Sequence, residues 1–137
     1  MGRHEQREQL FKLLFRIEFN NLEDMPEQVK LFFQDDETEY TEQIMKIIEE
    51  RFQVVLKKVP EIDALIDEKA EGWNTGRMGK VEITILRIAV FEILFDEDIP
   101  NNVAINEAVE IAKQYGQANS GAFVNAILAK FVNVQEA

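Results

Sequence analysis

The sequence predicts an all-α fold, and three observations predict it. Apolar residues recur at spacings of three and four along most of the chain, while strand-like alternation is scarce. Only three prolines and six glycines punctuate 137 residues. Hydrophobic residues make up 46% of the chain, enough for a core in one domain that needs neither disulfides nor metal. About seven helices with short connections are expected, giving an orthogonal or bundled all-α domain.

The first helix is expected over residues 5–19. Leu10, Leu13, Leu14 and Ile17 form one apolar row, with Phe11 and Phe15 beside it, and Asn20-Asn21 is a stop. A short helix over 26–33 follows, with Pro26 in its first turn and Asp24 as its cap. The acidic run Asp35-Asp36-Glu37 reads as a solvated loop, because adjacent acids do not face one point and no histidine is near. The third helix, 40–58, takes Thr38 or Thr41 as cap and buries Ile44, Ile47, Ile48, Phe52, Val54 and Val55. Pro60 is expected to end it, leaving a fourth helix to turn Ile62, Leu65 and Ile66 inward. Gly72, Asn74 and Gly76 mark a loop that holds the only tryptophan, Trp73.

The fifth helix, 79–95, is apolar nearly all round and belongs at the centre of a bundle. Its β-branched content also suits a buried strand, but its length favours a helix. A sixth runs over 103–115, with Asn102 as cap and Gly116 as C-terminal stop. The last runs over 120–132 with Phe123, Val124, Ile127, Leu128 and Phe131.

Composition excludes several functions. There are no cysteines, hence no disulfide, thiolate metal site or cysteine nucleophile. No secretory signal is visible, and the most apolar stretch, residues 83–95, contains Arg87 and Glu92 and is too short to span a bilayer. A soluble, cytoplasmic protein that does not engage a membrane is expected. No Gly-rich phosphate loop, zinc-binding HExxH helix or nucleophile elbow occurs, and His4 is the only histidine, near the terminus. No enzyme, catalytic residue, cofactor or metal is therefore expected.

The net charge is −11, which argues against a general nucleic-acid binder. Its distribution is uneven. Residues 1–16 hold four cations (Arg3, Arg7, Lys12, Arg16) against two anions (Glu5, Glu8), whereas acids dominate from Glu18 to Glu50.

Three stretches together carry a family resemblance. They are Arg77-Met-Gly-Lys-Val-Glu82-Ile-Thr-Ile-Leu-Arg87-Ile-Ala-Val-Phe-Glu92, then Ile99-Pro-Asn-Asn-Val-Ala-Ile-Asn106-Glu107-Ala-Val-Glu-Ile-Ala-Lys113-Gln-Tyr-Gly116, then Ser120-Gly-Ala-Phe123-Val-Asn125-Ala-Ile-Leu128. In this order and spacing they resemble the C-terminal half of the NusB transcription antitermination factors. Residues 7–15, Arg-Glu-Gln-Leu-Phe-Lys-Leu-Leu-Phe, are similar to that family's opening helix. The resemblance implies one NusB-like domain of two packed three-helix subdomains, here about 1–75 and 76–137. It implies a boxA-type single-stranded RNA and the ribosomal protein NusE as partners, within an antitermination complex with RNA polymerase that supports ribosomal RNA synthesis. Some members pair with themselves, so a homodimer is a further implied partner. The chain departs from the family in its N-terminal cations, which Glu5 and Glu8 interrupt, and in Phe15, where a tyrosine is usual.

Single-stranded RNA is held by cations along its backbone and by planar groups that stack on its bases. Arg3 and Arg7 lie four apart and share a face if the helix reaches Arg3. They are either phosphate ligands, with His4, or solvated cations paired with nearby glutamates. Around the last helix's start, Gln117, Asn119, Ser120 and Phe123 offer amides, a hydroxyl and a ring. The resemblance places Asn119 and Phe123 at the RNA; the alternative makes Asn119 a cap and buries Phe123. Lys113 is a phosphate contact or a complement to its helix C-terminus. For the protein partner the candidates are Phe15, Glu82 and Glu92, acids suiting a basic ribosomal protein. The alternative pairs those acids internally with Arg87 or Lys80. Arg87 itself reads as structural, with Glu107 as a mate.

Two rival functions remain open on the sequence. One is a protein–protein scaffold without RNA contacts. The other is a NusB-like fragment of a ribosomal RNA cytosine methyltransferase, for whose nucleotide-binding sheet the chain has no room.

Overall fold

A computed structural model describes residues 1–35 and 38–136, residues 133–136 by backbone alone. Asp36 and Glu37 of the acidic run, read as a solvated loop, lie outside the described residues. The described residues form six α-helices and no strand. Backbone contacts group them into two units, Met1–Leu56 and the chain from Lys57 onward.

In the first unit, α1 (Arg3–Phe15) begins earlier than the sequence suggests, so Arg3 and His4 are helical. Leu10, Phe11, Leu13 and Leu14 are buried, which joins the two apolar rows into one broad face. The helix tightens into a 3-10 turn over Arg16–Glu18. There Asn20 Nδ2 donates to the Arg16 carbonyl at 2.8 Å, satisfying an end-of-helix acceptor. Arg16 is used internally. Its Nη1 donates to the Gln28 carbonyl (3.3 Å) and to Gln28 Oε1 (3.1 Å), and its guanidinium lies 5.2 Å from the Phe32 ring centre.

Helix α2 (Met25–Phe33) has Pro26 in its first turn, as expected. Asp24 occupies the cap position but makes no side-chain cap bond, because a 3-10 turn over Leu22–Asp24 already leads into the helix. After α2, Tyr40 packs on Phe32 and Phe33 and donates its hydroxyl to Gln9 Oε1 of α1. Burial pushes the Tyr40 phenol above its ordinary pKa and the nearby Asp35 carboxylate adds to this, while a Thr38 hydrogen bond and Arg16 oppose it.

Helix α3 (Glu42–Lys69) corrects an expectation. Pro60 lies inside it and does not end it, so the anticipated third and fourth helices are one. The buried positions explain why. Ile48, Phe52, Val55, Ile62 and Ile66 keep a three-and-four spacing through the proline. Pro60 is exposed, so the helix loses one backbone bond without losing its apolar stripe. Thr41 provides the cap, its Oγ1 accepting the Ile44 N–H at 3.1 Å. The division between the two units falls within this helix.

In the second unit, α4 (Lys80–Phe95), α5 (Asn101–Tyr115) and α6 (Ser120–Glu136) pack on one another. Every residue of α4 from 83 to 93 is buried, as an apolar-all-round helix requires. Arg87 is buried among them and forms a two-pronged pair with Asp63 of α3. Its Nε donates to Oδ1 and its Nη2 to Oδ2, each at 2.9 Å. Asp63, on the part of α3 that faces this arginine, is the carboxylate that grips it from both prongs. Helix α5 starts at Asn101, ahead of the suggested cap at Asn102. The extended Pro100 carbonyl accepts the Val103 and Ala104 N–H groups at 3.0 and 3.1 Å and starts the helix instead. Gly116 ends α5 as expected, but with an extended backbone rather than a left-handed one. The reason for glycine there is space: a Cβ would come within 2.5 Å of Ser120 Oγ and 2.7 Å of the Ala112 carbonyl oxygen. Among the described residues, no helix is long and apolar enough to cross a membrane.

Candidate nucleic-acid interface

The sequence candidates fall into two groups, one in each unit. In the first unit, α1 carries Arg3 and Arg7 one turn apart on a shared face. Arg3 and His4 are exposed and Arg7 is half-buried. His4 and Arg7 each have an interaction within the protein. Lys12 lies 3.9 Å from Glu8, a loose surface pair of little energetic weight. With Arg16 held by Gln28 and Phe32, the cationic strip on α1 narrows to its first turns.

In the second unit, the start of α6 gathers the remaining candidates. Asn119 precedes the helix and is exposed, and its carbonyl accepts the Phe123 N–H at 3.1 Å. Asn119 and Phe123 therefore stand one turn apart. Phe123 is half-buried, and its ring meets Trp73 edge to face, with centres 5.3 Å apart and planes at 76°. Lys113 is exposed, 3.9 Å from Glu110, and its stem passes Gly121 at the start of α6, 3.5 Å from where a Cβ would sit. An amide and an aromatic ring thus share one side of the first turn of α6, Lys113 meets the same turn at Gly121, and a helix start itself favours anions.

Ser120 does not belong to that open set. It is 1% exposed and its hydroxyl is fully used, accepting the Gln117 N–H at 2.8 Å and donating to Glu82 Oε1 at 2.6 Å. Glu82 is accordingly half-buried and ties the first turn of α4 to the first turn of α6. Neither Arg87 nor Lys80 is the partner suggested for it; Ser120 takes that place. Glu92 is 4% exposed and interacts within the protein. The expectation that it presents an acid to a docking partner is corrected: the inward face of α4 leaves its carboxylate no route to one. Phe15, the third partner candidate, is half-buried in a row between Phe11 and Phe19, at ring-centre distances of 6.0 and 5.1 Å. Phe19, 60% exposed, is the open end of that row. Sequence reasoning passes over it because the helix is expected to run through it. Among the described residues, no group of three acids or histidines is placed to hold a metal ion.

The fold and this arrangement define a small helical protein of the NusB architecture. The structure of T. maritima NusB superposes with a TM-score of 0.85 at 37% identity, covering 97% of this chain and 92% of that one. The solution structure of NusB from Aquifex aeolicus has the same fold, with a TM-score of 0.78 at 21% identity. The NusB family pattern matches residues 4–133, and the chain belongs to the NusB family. A transcription antitermination protein NusB of Agathobacter rectalis is 50% identical over 131 residues, 96% of this chain and 99% of that protein. Its counterpart in Lachnoclostridium phytofermentans is 45% identical, over 97% of this chain and the whole of that protein.

Proposed function

We propose that the chain is a transcription antitermination adaptor. It binds a boxA-type single-stranded RNA and the ribosomal protein NusE, and supports ribosomal RNA transcription by bringing both to RNA polymerase. Family membership supports the antitermination role. The observation that carries RNA binding is the first turn of α6, where exposed Asn119 stands one turn from the half-buried Phe123 and exposed Lys113 packs beside Gly121. Phosphate goes to Lys113 in this unit and to Arg3, His4 and Arg7 in the other; Phe123 stacks and Asn119 reads a base edge. The protein partner is assigned to the aromatic row of Phe15 and to acidic surface. Glu82, half-buried in the second unit, is proposed as one acid for the same partner.

A scaffold that binds protein but not RNA is the second reading. It is favoured by Glu5 and Glu8 among the α1 cations and by the internal use of Arg16. Fluorescence anisotropy on boxA-type RNA, with and without NusE, separates the two. The adaptor binds the RNA, more tightly with NusE present, and prefers it to a shuffled strand. Absence of preference in both conditions would sink the adaptor reading and leave the scaffold.

A further inference from the structure

The only tryptophan plays no part in the contacts assigned so far, yet it lies against one of them. Trp73 sits between α3 and α4 in a loop held on both sides. Its backbone N–H donates to the Ala70 carbonyl at 2.9 Å, closing the end of α3. Gly72 supplies the positive φ (79°) that this turn requires and that a side chain would resist. On the far side, the Thr75 N–H donates to Asp67 Oδ1 at 2.6 Å, and the Arg77 N–H to the Asn74 carbonyl at 3.0 Å.

A tryptophan side chain is highly buried on average. Trp73 is instead 51% exposed. Among the described residues its ring contact is Phe123, whose plane stands nearly perpendicular to it. Two rings at 76° make a corner, and the exposure of Trp73 puts its indole side in water. A flat unpaired base fits such a corner: it stacks on one ring and abuts the other, and every base has a π-face. Exposed Asn119, one turn from Phe123, adds a donor and an acceptor at the rim. The Lys113 stem, beside Gly121, brings a cation to the same end of α6.

We infer that Trp73 and Phe123 form a preorganised aromatic corner that holds one unpaired nucleobase, with Trp73 a stacking residue of the RNA site. The inference rests on the RNA-binding reading above and assigns Trp73 a place within it. Preorganisation is what makes the corner useful, since little order remains to be imposed when the strand arrives.

Because Trp73 is the sole tryptophan, the unmodified chain reports on itself. Titration with boxA-type RNA, with NusE present if the chain needs it, should quench or shift the indole emission in step with anisotropy. W73A should weaken binding about tenfold to a hundredfold, the range for one lost base stack. The slope of log affinity against log salt should stay as it was, because no phosphate contact is lost. W73F, which keeps a ring, should recover most of the affinity and serves as the folded comparison. A strand with one abasic position at the corner should bind W73A and the unmodified chain alike. Indole emission unmoved at saturation, or W73A binding within twofold of the unmodified chain, would overturn the inference while leaving RNA binding intact. Failure of the unmodified chain to bind the RNA with or without NusE would overturn both.

Discussion

Arg87 shows how a side chain's role can be legible in the sequence while its two-pronged partner is not. A guanidinium within so apolar a helix needs a fixed carboxylate, and that much follows from the residues around it. The carboxylate belongs to Asp63, 24 positions away, and no local spacing points to it. Asp63→Ala removes both charged hydrogen bonds from a buried guanidinium, so it should cost about 3 kcal/mol in urea unfolding. A loss below about 1 kcal/mol would mean that Arg87 finds water or another acid. Tyr40 makes a pH prediction of the opposite character. Its folded pKa is raised above the ordinary 10.0, chiefly by burial. Below that value both folded and unfolded phenols are neutral and this contribution to stability is fully present. As pH climbs past it the unfolded phenol ionises first, so stability falls until the folded phenol follows. Tyr40→Phe should cost about 1 kcal/mol at about pH 7, for the lost bond to Gln9, and should flatten the decline at alkaline pH. Urea midpoints from roughly pH 7 to 11 test this, and a variant whose decline is as steep as the parent's would refute it.

At the level of elements, apolar periodicity locates every helix, and the errors fall where backbone chemistry overrides it. Pro60 is expected to end a helix because proline lacks the N–H and crowds the preceding turn. The stripe of Ile48, Phe52, Val55, Ile62 and Ile66 outweighs that local cost. Pro60→Ala restores the bond to the Leu56 carbonyl and should raise stability by about 1–3 kcal/mol, given that the residue is exposed and packs little. A lower unfolding midpoint for the variant would show that α3 is bent to suit its proline. The candidate site is legible to a similar depth. Asn119, Phe123 and Lys113 stand out as residues; the first two lie one turn apart at the start of α6, and Lys113 meets that helix at Gly121. Nothing in the sequence shows that the Ser120 hydroxyl is already engaged, because its partner, Glu82, is 38 positions away. Trp73 goes unassigned for the same reason: a loop tryptophan gives no sign in sequence of the ring it will lean on. Glu92 looks available because an acid in a helix usually faces water, and only the packing around α4 shows that it does not.

For the molecule as a whole, a net charge of −11 restricts how RNA can be bound. An acidic body repels a polyanion, so few phosphates can be neutralised and the rest of the affinity must come from stacking and hydrogen bonds. Arg16 is occupied by Gln28 and Phe32, and Lys12 is loosely paired with Glu8. Of the residues proposed for phosphate, Arg3, Arg7 and Lys113 carry a formal positive charge, and His4 is counted as neutral. Each phosphate contact on a single strand contributes a slope of about −0.7 in log affinity against log salt, so the chain alone should show about −2. Arg7→Ala should bring that to about −1.4, whereas W73A should leave it unchanged. Anisotropy titrations between roughly 50 and 200 mM salt resolve these values. A slope of about −4 or steeper would require cations beyond these three, and binding would then depend on a basic surface other than α1 and the start of α6. A slope near zero would leave the strand held by its bases alone, and Arg3 and Arg7 would be ordinary solvated cations paired along the surface of α1.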